Sequence, residues 1–126
     1  MDTIRHTERI VQVLSGSPIP KDTEIPIEDI YEVRCDKPYC HIIWRQGGEE
    51  PEDTKAECPL LTFAFLPSQQ FVLCNREELV NLACATPAAV KGKPMLQLPD
   101  GTCIHPSQRR WPLVKKAWLQ YRQSIL

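Results

Sequence analysis

The segment Leu98-Pro99-Asp100-Gly101-Thr102 limits the fold of this chain more than any other. Asp-Gly is favoured where a tight hairpin needs two consecutive residues at positive φ. It is flanked by two short apolar runs, Pro94 to Leu98 and Thr102 to His105. Other strand signals lie upstream. Thr23 to Ile27 alternates, with Ile25 and Ile27 on one face. Ile30 to Cys35 and Tyr39 to Arg45 read as a hairpin around Asp36-Lys37-Pro38, and Phe71 to Cys74 as a strand. The period of Leu60 to Leu66 does not separate strand from helix. Glu77 to Asn81 reads as a single helical turn, and Val80 to Val90 as a small apolar segment broken at Pro87. Residues 46–57 carry five acids with Gly47, Gly48 and Pro51, which predicts a mobile surface loop.

Two helices are expected. Over residues 3–15, Ile4, Val11 and Leu14 recur at helical spacing, Thr3 can cap the start and Gly16 suits a left-handed stop. Ser17-Pro18-Ile19-Pro20 then forms a linker. At the other end Leu113, Val114, Ala117, Trp118 and Tyr121 form an apolar stripe, with Pro112 at the first helical position. Arg109 and Arg110 precede that helix on a loop. The fold class expected is mostly β (α+β): short strands and hairpins, an N-terminal helix and a C-terminal amphipathic helix. Residues 1–22 would be the helix and linker, and residues 23–126 the domain proper.

A chain of 126 residues can bury a core without staples. Its net charge is −1, but the distribution is uneven. Residues 22–57 hold eleven acids against four bases, and residues 91–126 seven bases against one acid. A basic C-terminal third is a candidate phosphate-facing surface. The apolar runs are too short to span a bilayer and the N-terminus lacks a basic region followed by an apolar one, so a cytoplasmic protein is expected. The six cysteines, Cys35, Cys40, Cys58, Cys74, Cys84 and Cys103, form no C-x-x-C pair, so neither a disulfide framework nor a structural metal is expected. The histidines His6, His41 and His105 stand beside no evident nucleophile, and the paired acids lie in a polar loop where carboxylates stay ordinary. The reading is therefore not an enzyme, with no cofactor.

One ordered set of motifs points further. Ile27-Glu28-Asp29-Ile30-Tyr31-Glu32-Val33 is followed by Tyr39, then by Leu66-Pro67 and Phe71-Val72-Leu73-Cys74-Asn75-Arg76-Glu77-Glu78-Leu79-Val80-Asn81. Leu98-Pro99-Asp100-Gly101-Thr102-Cys103-Ile104-His105-Pro106-Ser107-Gln108-Arg109-Arg110 closes the series. This succession, from residue 24 to about residue 118, resembles the LytTR DNA-binding domains usually attached to bacterial response regulators. The resemblance implies a small LytTR-like β-fold that inserts loop side chains into successive grooves of duplex DNA. Carried over by position, it implies DNA contacts from the Tyr39-Cys40-His41 region, chiefly His41, from Asn75 and Arg76, and from Ser107, Gln108, Arg109 and Arg110. Lys115 on the basic helix would add a phosphate contact. Arginine can grip guanine O6 and N7 bidentately, Asn and Gln can read adenine, and Ser can hold phosphate. The sequence departs from the family pattern where Asn75 replaces its usual His, where Glu77, followed by Glu78, replaces its usual Ser, and where Gln108 replaces its first Arg.

The function expected is sequence-specific binding of double-stranded DNA by a stand-alone transcriptional regulator. The further partners expected are a second copy of the chain through residues 3–15 and a regulatory protein. The competing readings are the same fold serving as a protein-interaction module, and a cysteine-based redox sensor.

Overall fold

A computed structural model describes residues 1–16, 18, 19 and 21–125. The chain divides into two compact units, Met1–Phe65 and Leu66–Leu126.

The N-terminal unit holds β1 (Thr3–His6), β2 (Ile10–Leu14), β3 (Asp22–Pro26), β4 (Ile30–Asp36), β5 (Tyr39–Trp44) and β6 (Glu52–Ala56). The first three form an antiparallel sheet in the order β1-β2-β3. The helix expected over residues 3–15 is therefore corrected to a hairpin, in which Thr3 pairs with Leu14 and His6 with Val11. Val11 and Val13 are buried while Gln12 between them is half-exposed, so the effective period is two, not 3.6. Ile4, Ile10, Val11 and Val13 are β-branched, which favours the strand once a sheet partner is present. The turn is set by Thr7, whose Oγ1 accepts from the backbone N–H groups of Arg9 and Ile10 at 3.2 and 3.1 Å. Gly16 is no left-handed cap. Its N–H donates to Asp2 Oδ1 at 2.9 Å, and a Cβ there would lie 3.1 Å from the Met1 carbonyl oxygen. The expected dimer segment thus offers the outer edge of β1 rather than a helical face. Of the expected linker, Ser17 and Pro20 lie outside the described residues.

The β4–β5 hairpin forms as the sequence predicts, with Asp36 opposite Tyr39 across Lys37-Pro38, whose peptide bond is cis. The acidic segment 46–57 is corrected in part. Residues 46–51 form a loop containing a Gln46 turn, but Glu52–Ala56 is a strand paired with β5. An edge strand rich in charge keeps other chains from pairing with it, and that same charge hides it from a search for apolar alternation. The strand is tied down by its side chains: the Trp44 indole donates to Thr54 Oγ1 at 3.0 Å, and Lys55 Nζ lies 4.2 Å from the centre of the Tyr39 ring. Leu60–Phe63 forms a 3-10 turn that buries Phe63. Val11, Ile25, Ile30, Val33, Ile42 and Phe63 are the unit's fully buried apolar residues of largest size.

The C-terminal unit holds β7 (Phe71–Leu73), β8 (Glu78–Asn81), β9 (Thr86–Val90), β10 (Lys93–Gln97), β11 (Cys103–Ile104) and α1 (Trp111–Ser124). The helical turn expected over Glu77–Asn81 is instead β8, with Leu73 opposite Leu79 and Phe71 opposite Asn81. Pro87 does not break the 80–90 segment. It sits in β9, at the edge of the order β11-β10-β9, where a missing N–H is tolerated. Lys91 (φ 52°) and Gly92 (φ 77°) make the two-residue turn into β10. The Asp100-Gly101 hairpin is present, but not as a two-residue turn: Leu98 N donates to Thr102 O at 2.8 Å, Gly101 N donates to Leu98 O at 2.9 Å, and Asp100 is not at positive φ. Leu96 pairs with Ile104, Gly101 has φ 88°, and Asp100 Oδ1 accepts from Thr102 N at 3.0 Å. Helix α1 begins with Pro112 in its first turn, as expected. Its inward contact is narrower than the predicted stripe. Val114 is fully buried, Ala117, Trp118 and Tyr121 are partly so, and Leu113 is 55% exposed.

Candidate nucleic-acid interface

In the C-terminal unit, Leu73, Asn75, Arg76, Ser107, Arg109, Arg110 and Leu113 surround an open cleft of about 460 Å³. Its construction starts at the β7–β8 turn. Cys74 N donates to Glu78 O at 2.9 Å, closing the turn, and Ser107 N donates to Cys74 O at 2.9 Å, fastening the post-β11 loop to it. Ser107 then starts the helix approach: its Oγ and its carbonyl oxygen both accept from Arg110 N, at 3.2 and 3.0 Å. These bonds bring residue 76 and residues 109–110 to one rim although some thirty positions separate them.

Asn75 is the pin of this arrangement. Its Nδ2 donates to Glu78 Oε1 at 3.0 Å and to His105 O at 3.2 Å, and its Oδ1 accepts from Glu77 N at 2.9 Å. Both amide protons are committed, so the side chain is built for positioning. The Glu78 carboxylate is thereby held in place on Asn75. Glu77 is exposed.

The three arginines differ in setting. Arg76 and Arg109 are exposed, whereas Arg110 is half-buried and its Nε donates to Leu73 O at 2.6 Å. That bond fixes the Arg110 head group at the cleft that Arg110 lines and leaves its two terminal nitrogens uncommitted to that bond. Among the described residues none of the three guanidinium groups forms an ion pair. Three positive charges beside an apolar floor of Leu73 and Leu113 suit a polyanion that has both phosphate and flat apolar surface.

The remaining predicted residues lie elsewhere. Gln108 is exposed and does not line the cleft. Lys115 borders a separate apolar groove of about 140 Å³ with Pro87, Leu96, Trp111, Val114, Trp118 and Leu119. His41 belongs to the N-terminal unit, where its Nδ1 lies 3.0 Å from both carboxylate oxygens of Asp53. An acid so placed neutralises a protonated imidazole and opposes an approaching phosphate. Nothing in the sequence marks Leu73 and Leu113 as cleft residues, because an apolar residue in a strand or on a helical stripe reads as core.

Among the described residues no disulfide joins the six cysteines. Burial pushes the Cys40 thiol up to about 12, reinforced by the neighbouring Cys58 and Cys35 thiols. Burial also raises Cys58, against an opposing contribution from its hydrogen bonds with Cys40 and Thr62. Neither is the low-pKa thiolate that a fast peroxide sensor uses. Among the described residues no group of three His, Cys, Asp or Glu side chains is arranged to hold a metal ion, and no helix is long and apolar enough to cross a membrane.

Strand order, hairpins and terminal helix thus define an α+β domain with a basic cleft at a strand turn. The chain is similar to a solved structure described as the LytTR DNA-binding domain of a methyl-accepting/DNA response regulator from Bacillus cereus. The TM-score is 0.64 with 16% sequence identity, covering 86% of this chain and 95% of that one. The chain therefore has the LytTR fold. No protein-family profile and no curated protein matches its sequence.

Proposed function

We propose that this protein is a sequence-specific double-stranded DNA-binding transcriptional regulator that engages DNA through the Arg76–Arg109–Arg110 cleft. The observation that carries the reading is the convergence of Ser107 and three guanidinium groups, none of them in an ion pair among the described residues, on one open cleft, in a fold shared with a LytTR DNA-binding domain. Arg76 and Arg109, both exposed, are assigned to base edges or phosphates. Arg110, aimed by its bond to Leu73, is assigned to the backbone of the duplex, and the Ser107 hydroxyl proton to a phosphate oxygen. Asn75 acts by holding the turn, and His41, Gln108 and Lys115 are secondary in this assignment.

The test is selection of bound sequences from a random duplex pool, followed by titration of the enriched duplex with the wild-type chain and with Arg76→Ala and Arg109→Ala. Each substitution is expected to weaken specific binding by about 1–3 kcal/mol with folding intact. Failure to enrich any sequence, or variants that bind like wild type, would refute the assignment. Binding to a protein from the same cell that survives moderate salt, with no DNA binding, would favour an interaction module instead.

A further inference from the structure

Three cysteines of the N-terminal unit are neighbours although the sequence scatters them. Cys35 on β4 is directly opposite Cys40 on β5, and the buried Cys40 Sγ donates to the Cys58 carbonyl at 3.3 Å. The register identifies the kind of pair that Cys35 and Cys40 make. The two-residue turn Lys37-Pro38 is closed by Asp36 and Tyr39, and a two-residue turn closes on a hydrogen-bonded pair. The next pair out, Cys35 with Cys40, is then a non-hydrogen-bonded pair. In such pairs the Cα atoms are about 4.5 Å apart and the side chains converge on one face. That separation falls inside the range a disulfide spans, about 4.4–6.8 Å.

We propose that Cys35 and Cys40 form a reversible cross-strand disulfide, made by exchange with a low-molecular-weight disulfide. Cys35, half-exposed, is the entry point, and Cys40 resolves. The Cys35 thiolate attacks the small disulfide, forming a mixed disulfide and releasing one small thiol. Cys40 then attacks the Cys35 sulfur, its proton passes to the departing small thiolate, and the second small thiol leaves. Two protein thiols and one small disulfide become one protein disulfide and two small thiols, so the step balances. Cys58 is the rival partner of Cys40, since its carbonyl oxygen accepts from Cys40 Sγ and its thiol also lies beside Cys40, but it is buried whereas Cys35 is half-exposed. The inference is independent of DNA binding.

Trypsin separates the possibilities because Lys37-Pro38 resists cleavage. Cys35 and Cys40 stay together on residues 35–45, and Cys58 falls on residues 56–76. The full chain is incubated with oxidised glutathione, alkylated, digested and weighed. The expected product is peptide 35–45 lacking two hydrogens and carrying no alkyl group, restored to two thiols by dithiothreitol. Cys58→Ser should still give it and Cys35→Ser should abolish it. Full alkylation of both cysteines after oxidation, or a linked pair of peptides 35–45 and 56–76, would overturn the proposal.

Discussion

Replacing Asn75 by Ala separates a side chain that reads DNA from one that holds the reading surface. The substitution removes three hydrogen bonds: two donated by Nδ2, to Glu78 Oε1 and His105 O, and one accepted by Oδ1 from Glu77 N. Each such bond is worth about 0.5–1.5 kcal/mol net, and the one to a carboxylate lies at the upper end. Asn75 is half-buried and the freed groups can reach water, so the total is discounted to about 1.5–3 kcal/mol. The Glu78 carboxylate is released at the same time and can turn towards Arg76, lowering DNA affinity further. Urea denaturation at pH 7 followed by tryptophan fluorescence measures the first effect, and a duplex titration the second. Asn75→Asp should destabilise more than Ala at pH 7, because its carboxylate faces both Glu78 and the His105 carbonyl, and should recover towards pH 3. A variant Asn75→Ala with unchanged urea midpoint but lost DNA binding would refute the reasoning and return Asn75 to the role of base reader.

Arg110→Ala should cost about 1–2 kcal/mol of stability as well as DNA affinity, since the bond from Nε to Leu73 O is lost; Arg109→Ala should lose affinity alone, and equal urea midpoints for the two variants would contradict the distinction. The Asp2 carboxylate accepts from Glu57 N and Gly16 N, and these bonds hold its pKa below the ordinary 3.8, the Glu57 bond contributing most. A depressed folded pKa gives stability that is complete above the ordinary value and lost as pH falls through the folded one. Asp2→Asn should therefore flatten the acid limb of the stability curve below about pH 4, and an unchanged limb in thermal melts would remove Asp2 from it. Gly92→Ala and Gly101→Ala, at φ 77° and 88°, should each cost about 1–2 kcal/mol in the same melts, whereas Gly48→Ala, with a φ outside the left-handed range, should cost less.

The elements readable in the sequence are those whose local chemistry has one solution. Asp100-Gly101 permits little but a tight turn, Lys37-Pro38 sits between two runs of β-branched and aromatic residues, and Pro112 fits only the first turn of a helix. The elements misread have two. Ile4, Val11 and Leu14 satisfy a helical period, yet Val11 and Val13 also satisfy a period of two, and pairing of β2 with both β1 and β3 decides between them. Strand β6 is concealed by its edge position, and β9 by Pro87 and by a Lys91-Gly92 turn whose first residue is an unusual choice for positive φ. The arginines of the cleft were identified by resemblance, but the role of Asn75 was not, because its partner His105 is thirty positions away.

If the arginine cleft is a polyanion site, DNA affinity must fall with salt through its arginines, and salt dependence tests this most directly. The affinity of the enriched duplex is measured for wild type and for Arg109→Ala across 50 to 200 mM salt (a range of about fourfold in concentration). Wild type should lose affinity steeply, with log K falling linearly against log salt, and Arg109→Ala should bind more weakly with a slope shallower by about one. Equal slopes and equal affinities for the two proteins would contradict the account.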